Sequence, residues 1–393
     1  MNFVFISPAY PVTCTYFIDR LNGMGVNVLG IGDVPYDTLN GQLKNALTEY
    51  YYVKTLEDYD QIYRAAAYFI HKYGRIDWLE SLNEYWLPVD ARLRDDFNIA
   101  VGTRSDGIGE LIRKSAMKRK FIEAGIPTAR QHIETDLESG FRFAGEVGYP
   151  VIVKPDIGVG SNGALKLNTE DELISFYHGR PQVQYVMEEF LYGDICTYDA
   201  IIDSRCEPLF ESMCTYAPVI DTVQNNENIH FYTTPEVPEA LRELGRKTVK
   251  AFGADRRFVH FEFIHITKDY EGIGKAGDYA AMEVNMRPAG GHDPDMMNYA
   301  QSTDVFRIYA EMIISDKRLL PESGDRYLCA YAARKDGYRF SHSHEDIMGR
   351  YGGDIVLQEE MPPIDWPSMG RYVYMAKFKE KEEMDRFFAY VLS

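Results

Sequence analysis

The chain has 393 residues, 45% of them hydrophobic and 26% charged, with a formal net charge of −18. That composition fits a folded chain of two or three domains and excludes a disordered or fibrous class. The acidic balance argues against nucleic acid and anionic membranes as partners, because both call for a basic face. Cys14, Cys196, Cys206, Cys214 and Cys329 are odd in number and include no CxxC pair, so they read as reduced thiols. The apolar start at Met1–Pro8 has no basic region before it, and no stretch reaches the roughly 18 apolar residues of a membrane span. A cytoplasmic location is the expectation.

In chain order, residues 2–7 (NFVFIS) predict a buried strand, Thr15–Asn22 a helix with Gly23 as its stop, and Val26–Ile31 a second strand. Leu56–Tyr73 predicts a helix, Trp78–Leu82 a strand and Val89–Phe97 a helix. Strands alternating with helices imply a parallel sheet covered on both faces. The first strand runs into Pro8-Ala9-Tyr10-Pro11-Val12 with no GxGxxG, which speaks against a nicotinamide or flavin site. From about residue 106 the texture changes. Ser115–Ala124 predicts a basic helix stopped at Gly125, and Val151–Pro155 and Ala164–Leu167 two strands around a Gly-rich loop. Pro238–Phe252 predicts a helix, followed by strands Val259–Ile264 and Tyr279–Met286. Beyond about residue 316 no motif is legible. Ser341–Asp346 reads as a solvated loop rather than a metal cluster, Tyr50–Tyr52 as packing or surface rather than a stacking platform, and Lys379–Glu383 as a solvated helix start.

Chemistry concentrates in three segments. Strand alternation places Glu283, Asn285 and Arg287 on one face, with Met282, Val284 and Met286 on the core face. Pairing with Val259–Ile264 through the turn 269–277 brings Glu262 to the same point. Two carboxylates and an amide oxygen are hard ligands suited to Mg²⁺, and Arg287 adds a planar fork for phosphoryl or carboxylate oxygens. Alternating polar positions on a solvated sheet face are the plainer explanation of either strand alone. Lys154 and the loop Asp156–Gly163 supply a point charge and backbone N–H groups for a phosphate chain; the loop joins strand to strand, so it is not a Walker A loop. Tyr185–Leu191 is a short apolar strand with two acids, suited to connect two lobes.

In order, "KSAMKRKFIEAGIPTA" (114–129), "YPVIVKPDIGVGSNG" (149–163), "VMEEFLYG" (186–193), "VHFEF" (259–263) and "MEVNMRPAGG" (282–291) resemble the ATP-grasp superfamily. The resemblance implies an α/β and α+β chain. Its parts are an N-terminal doubly wound parallel-sheet domain (1–106), a two-lobed ATP-grasp fold (107–315) and a small C-terminal domain (316–393) packing on the large lobe. The small lobe is about 107–190 and the large lobe about 191–315. Lys114 and Lys154 correspond to the family's phosphate lysines, and Gly158, Gly160, Ser161, Asn162 and Gly163 to its phosphate loop. Glu188 corresponds to an adenine contact by side chain, Glu189 and Leu191 to contacts by backbone. Glu262, Glu283 and Asn285 correspond to the ligands of Mg²⁺, for which Mn²⁺ is a substitute, and Arg287 to an arginine at the transferred phosphate. Ile195 stands where the family often has a ribose-binding Glu, with Asp194 and Asp199 nearby. The implied reaction activates a carboxylate as an acyl phosphate for attack by an amine, with ATP giving ADP and phosphate. The N-x-R-x-x-G-G form looks like amino-acid ligases, with His292 as an orienting group or base. A biotin-carboxylase-like enzyme and a non-catalytic nucleotide-binding protein are the alternatives, and a homodimer is the family's common assembly.

Overall fold

The computed structural model describes residues 1–158, 163–216, 228–363 and 365–393, except the side chain of Ser368. The first sheet holds β1 (Asn2–Ile6), β2 (Asn27–Gly32), β3 (Glu49–Tyr52) and β4 (Trp78–Glu80), all parallel in the order β3-β2-β1-β4. β1 is buried throughout. Its Phe3 and Phe5 meet Phe17, Ile18 and Leu21 of the helix Cys14–Gly23, while Val4 and Ile6 meet Ile62, Ala66 and Phe69 of the helix Tyr59–Tyr73. Helices on both faces make this the expected doubly wound domain. Gly23 is the last residue of its helix rather than a stop beyond it; the positive φ falls on Gly25, at 85°.

The second sheet is antiparallel, with β5 (Gln131–Ile133), β6 (Val151–Pro155), β7 (Leu165–Leu167) and β8 (Tyr185–Glu189) in the order β5-β8-β6-β7. Helices Leu137–Val147 and Glu170–Gly179 cover it through Phe143, Ala144, Leu173 and Phe176. Asp136 and Thr169 cap these helices by accepting from backbone N–H groups three residues on.

The third sheet carries β9 (Gly193–Ile202), β10 (Pro208–Tyr216), β11 (Ile229–Thr234), β12 (Arg257–Ile266), β13 (Tyr279–Asn285), β14 (Leu328–Arg334), β15 (Ile355–Glu360) and β16 (Tyr372–Phe378). Its order is β13-β12-β9-β10-β11-β14-β16-β15, antiparallel at every pairing. The stretch set apart as a C-terminal domain therefore shares the sheet of the large lobe, because β14 hydrogen-bonds to β11. One face of the sheet is closed by the helix Glu239–Phe252 and by Met117 and Phe121 of the helix Lys114–Glu123. On the other, Phe17 of the first domain meets Phe258, Phe306 and Tyr309 edge-on, joining that domain to the large sheet. Residues 341–346 start the helix His344–Tyr351, where Ser343 and Asp346 form a reciprocal capping box. Among the described residues, no helix is long and apolar enough to cross a membrane, and no group of three His, Cys, Asp or Glu is arranged to hold a metal.

Candidate active site

β12 and β13 pair with Glu262 directly opposite Glu283 and His260 opposite Asn285. The register then slips: Phe263 pairs with Ala281, leaving Met282 unpaired. This bulge corrects the face expected for Met282. Two residues of β13 now oppose one of β12, so Met282 joins Glu283 on the cavity wall while Val284 and Met286 stay in the core. Asn285 Nδ2 donates to Glu262 Oε1 at 3.4 Å, and Lys114 Nζ lies 3.2 Å from Glu283 Oε1. Burial pushes the Glu283 carboxyl up, with Glu262 adding to the rise against Lys114 and Lys154. Burial works the same way on Glu262, but His260 with Arg287 and Lys154 turns the net direction down. Two half-buried carboxylates facing each other, an amide oxygen beside them and lysines at the rim form a hard, anionic donor set that fits a divalent cation.

Lys114 and Lys118 are one turn apart, so both face the cavity from the helix Lys114–Glu123. The start of that helix is tied to the segment after β6. Asp156 accepts from Ser115 N at 2.8 Å and from Gln184 Nε2 at 2.9 Å, and Lys114 N donates to the Asp156 carbonyl. Lys114 Nζ also donates to the Gly158 carbonyl at 3.0 Å. Glu188 on β8 sits between Lys154 Nζ at 2.7 Å and Lys118 Nζ at 2.9 Å. Burial opposes all three charges. Lys118 and Lys154 nevertheless hold the Glu188 carboxyl far below its usual range, and Glu188 with Glu283 holds the Lys154 ammonium up. For Lys118, burial prevails and its affinity for the proton falls.

On the other side of the carboxylates, His260 Nδ1 meets Asp199 Oδ1 at 2.7 Å, and Nε2 lies 3.5 Å from Glu262. Burial opposes the imidazolium, but Asp199 and Glu262 push it up to about 10. Arg287 reaches Glu84 of the first domain at 3.0 Å and Asn285 Oδ1 at 3.4 Å. Glu84, Lys114, Lys118, Lys154, Glu188, His260, Glu262, Glu283, Asn285 and Arg287 all line one cavity of about 450 Å³ between the lobes. Its apolar wall includes Ala129, Leu191, Ile195 and Ile264.

Residues 113–185 match the family model of the carbamoyl-phosphate synthase L chain ATP binding domain. The carbamoyl phosphate synthase large chain of Clostridium botulinum is 35% identical over 85 residues, 21% of this chain and 8% of that protein. Biotin carboxylase 1 of Bacillus subtilis is 34% identical over 88 residues, 22% of this chain and 20% of that protein. The chain thus spans a fifth or less of these relatives. The likeness to solved structures is chain-wide. The L-amino acid ligase of Bacillus licheniformis superposes with a TM-score of 0.72 at 14% identity, covering 99% of this chain and 96% of that one. The chain has the ATP-grasp fold. Other ATP-grasp structures similar to it include the ADP-bound N5-carboxyaminoimidazole synthetase of Staphylococcus aureus, with TM-score 0.71, 14% identity and coverage of 98% and 96%. The biotin carboxylase domain dimer of Hydrogenobacter thermophilus 2-oxoglutarate carboxylase, holding MgADP and bicarbonate, gives TM-score 0.66, 16% identity and coverage of 99% and 89%.

Within this ATP-grasp fold, Lys114, Lys154, Glu188, Glu189, Leu191, Glu262, Glu283, Asn285 and Arg287 converge on the one cavity. Gly158 touches it through Lys114, and Gly163 sits beside Pro155 at a φ of 75°. Gly160, Ser161 and Asn162 lie outside the described residues. The Glu188 side chain is engaged by two lysines, and Glu189 is gripped by Arg130 at 2.8 and 3.0 Å. Ile195 makes the wall apolar where a ribose-binding acid was sought, Asp194 is exposed, and Asp199 holds His260. His292 is not on the cavity wall. Its Nδ1 meets Asp295 at 3.0 Å, its Nε2 meets Glu359, and these acids push it up to about 9 against burial. It is a charged clamp between the helix Asp293–Gln301 and β15, which leaves it no lone pair to act as a base. Sequence reasoning missed Lys118 and Glu84. The four-residue spacing from Lys114 was the available signal for Lys118.

Proposed function

We propose that the chain is an ATP- and Mg²⁺-dependent ligase that activates a carboxylate as an acyl phosphate for attack by an amine. The observation that carries the reading is the register of β12 against β13, which sets Glu262 opposite Glu283 with Asn285 alongside. The pair is half-buried, lines the cavity and has lysines at its rim, an arrangement suited to a metal that bridges phosphates. Glu262, Glu283 and Asn285 hold the metal, Mg²⁺ or Mn²⁺, which when bound neutralises charge on the phosphoryl group in transfer. Lys114 and Lys154 bind phosphate oxygens, and Glu188 aims Lys154 and Lys118. The apolar wall of Leu191, Ile195 and Ile264 takes the base and sugar, with the backbone of Glu189 and Leu191 facing the adenine edge. Glu84 and Asn285 orient the Arg287 guanidinium toward the oxygens of the reacting carboxylate and the γ-phosphoryl group. Closure of the cavity excludes water, which would otherwise hydrolyse the acyl phosphate.

Phosphoryl transfer depends on positioning and charge neutralisation, and this set of side chains supplies both. ADP release is expected only with ATP, Mg²⁺, a carboxylate and an amine together, measured over panels of acids and amines including amino acids. Glu283→Gln is expected to lower that rate by about 10²-fold or more. No acid–amine pair raising ADP above the ATP-only rate overturns the reading. The match of residues 113–185 to the carbamoyl-phosphate synthase model, the likeness to biotin carboxylase 1 and that to the bicarbonate-bound biotin carboxylase domain favour bicarbonate as a second reading of the acid. Bicarbonate-dependent ADP formation without an organic acid selects it.

A further inference from the structure

Away from the metal carboxylates, the cavity runs on over the middle of the large sheet. Its floor is one cross-strand row: Ile264 on β12, Ile195 on β9, Tyr216 on β10 and Phe231 on β11. Tyr216 and Phe231 lie two and three strands from β12, roughly 10–14 Å across the sheet. These two rings therefore lie away from the lysines and from Glu283. Tyr216 packs on Phe231 with centroids 4.9 Å apart, and Phe231 stacks on Tyr331 at 4.3 Å. Tyr331 donates to the Met369 carbonyl, and Met369 lines the cavity beside them.

Asp293, the first residue of the helix Asp293–Gln301, lines the same end and is only 4% exposed. Its Oδ2 accepts from the Tyr216 hydroxyl, and its Oδ1 has no hydrogen-bond partner among the described residues. A buried carboxylate oxygen without a partner is costly. Among the described residues no lysine or arginine is paired with it; the cations acting on it are the His260 and His292 imidazoliums, each already engaged by two other acids. Burial pushes its carboxyl up to about 7, against the Tyr216 hydroxyl and the two imidazoliums. Met369 packs directly against Gly291, where a Cβ would lie 2.5 Å from Met369 Cε.

We infer that Asp293, Tyr216, Phe231 and Met369 form a subsite for a primary ammonium group carried on an apolar or aromatic body. The inference rests on the ligase reading, which requires an amine, and it names the chemical class. Asp293 gives the ammonium a counter-charge, the ring faces attract a cation, and the aromatic floor takes the apolar body. Asp365, which accepts from Tyr10 at 3.0 Å on the same cavity wall, makes this end unfavourable for acidic side chains. The ammonium is either the amino group of the activated acid, which stays charged, or the attacking amine as it first binds, which passes one proton to Asp293 Oδ1 and attacks as the neutral amine.

Phenethylamine and 2-phenylethanol share one body and differ in the ammonium. Calorimetric titration of each into the full chain saturated with Mg²⁺ and a non-hydrolysable ATP analogue is expected to show the amine binding about tenfold tighter or better. Asp293→Asn is expected to erase that preference. Met369→Trp, which fills the subsite, is expected to weaken both probes. Equal affinity for the two probes, binding of neither, or a preference that survives Asp293→Asn each overturns the subsite. Binding of the nucleotide analogue itself is measured first. Its absence strikes the ligase reading, whereas amine failure with nucleotide bound strikes the subsite alone. Turnover assigns the source. With hydroxylamine as nucleophile and phenylalanine as the acid, a tenfold fall in kcat/KM on Asp293→Asn places the ammonium on the acid. The same fall seen only with phenethylamine as nucleophile places it on the attacking amine.

Discussion

Glu188 is buried between two ammonium groups, and its loss strands both. Glu188→Ala is expected to destabilise the fold by about 3–5 kcal/mol in urea titration, because Lys118 and Lys154 lose their shared counter-charge. Lys118→Met is expected to cost less, since Lys154 and Glu188 remain paired. His292 carries a pH dependence of known sign. Its folded-state value, about 9, stands above the unfolded 6.5, so its clamp on Asp295 and Glu359 contributes fully below pH 6.5 and is lost as pH rises through 9. The stability difference between the parent chain and His292→Gln is expected to be on the order of 2–3 kcal/mol at pH 6 and to vanish near pH 10. At this scale the sequence disclosed groups whose own strand or helix aims them at the site, Lys114, Lys154, Glu262, Glu283 and Asn285, and Arg287 in the bend just past β13. It did not disclose Glu84, which meets Arg287 across 203 residues of chain, nor the two acids that turn His292 into a structural cation.

The alternation of β12 and β13 was legible because the apolar positions, Phe261, Phe263 and Val284, fall two apart and bury themselves in one core. The bulge at Met282 was not legible. One unpaired residue reverses a side chain's face without changing the composition around it. β9, β10 and β11 also went unread: their apolar residues are interspersed with Thr, Asp and Glu that serve the site or the neighbouring helix. Tyr198 on β9 shows how tightly those elements meet. The helix Glu239–Phe252 crosses its ring at Gly245, where an added Cβ would lie 2.3 Å from the ring. Gly245→Ala is expected to cost about 1–3 kcal/mol in thermal or chemical melts, despite the better helix propensity of alanine. By contrast, Ser343→Ala removes one cap of a helix remote from the cavity. It is expected to cost about 1 kcal/mol and to leave ADP release unaltered.

Over the whole molecule, the doubly wound first domain was legible from strand and helix alternating over the first hundred residues. The order of the large sheet was not, because β14 pairs with β11 from about 100 residues earlier and no local pattern encodes that partner. The resulting architecture gives the cavity three separate contributors. The first domain brings Glu84 and Tyr10, the small lobe brings Lys154 and Glu188, and the large sheet brings the carboxylates and the aromatic floor. Acyl-phosphate formation at their meeting point leaves an isotopic mark. The chain is incubated with ATP, Mg²⁺, an amine acceptor and a pool of amino acids labelled with ¹⁸O in their carboxylates, and the released phosphate is weighed by mass spectrometry. One ¹⁸O atom in each phosphate formed with ADP is the predicted result; ADP accompanied by unlabelled phosphate contradicts the account.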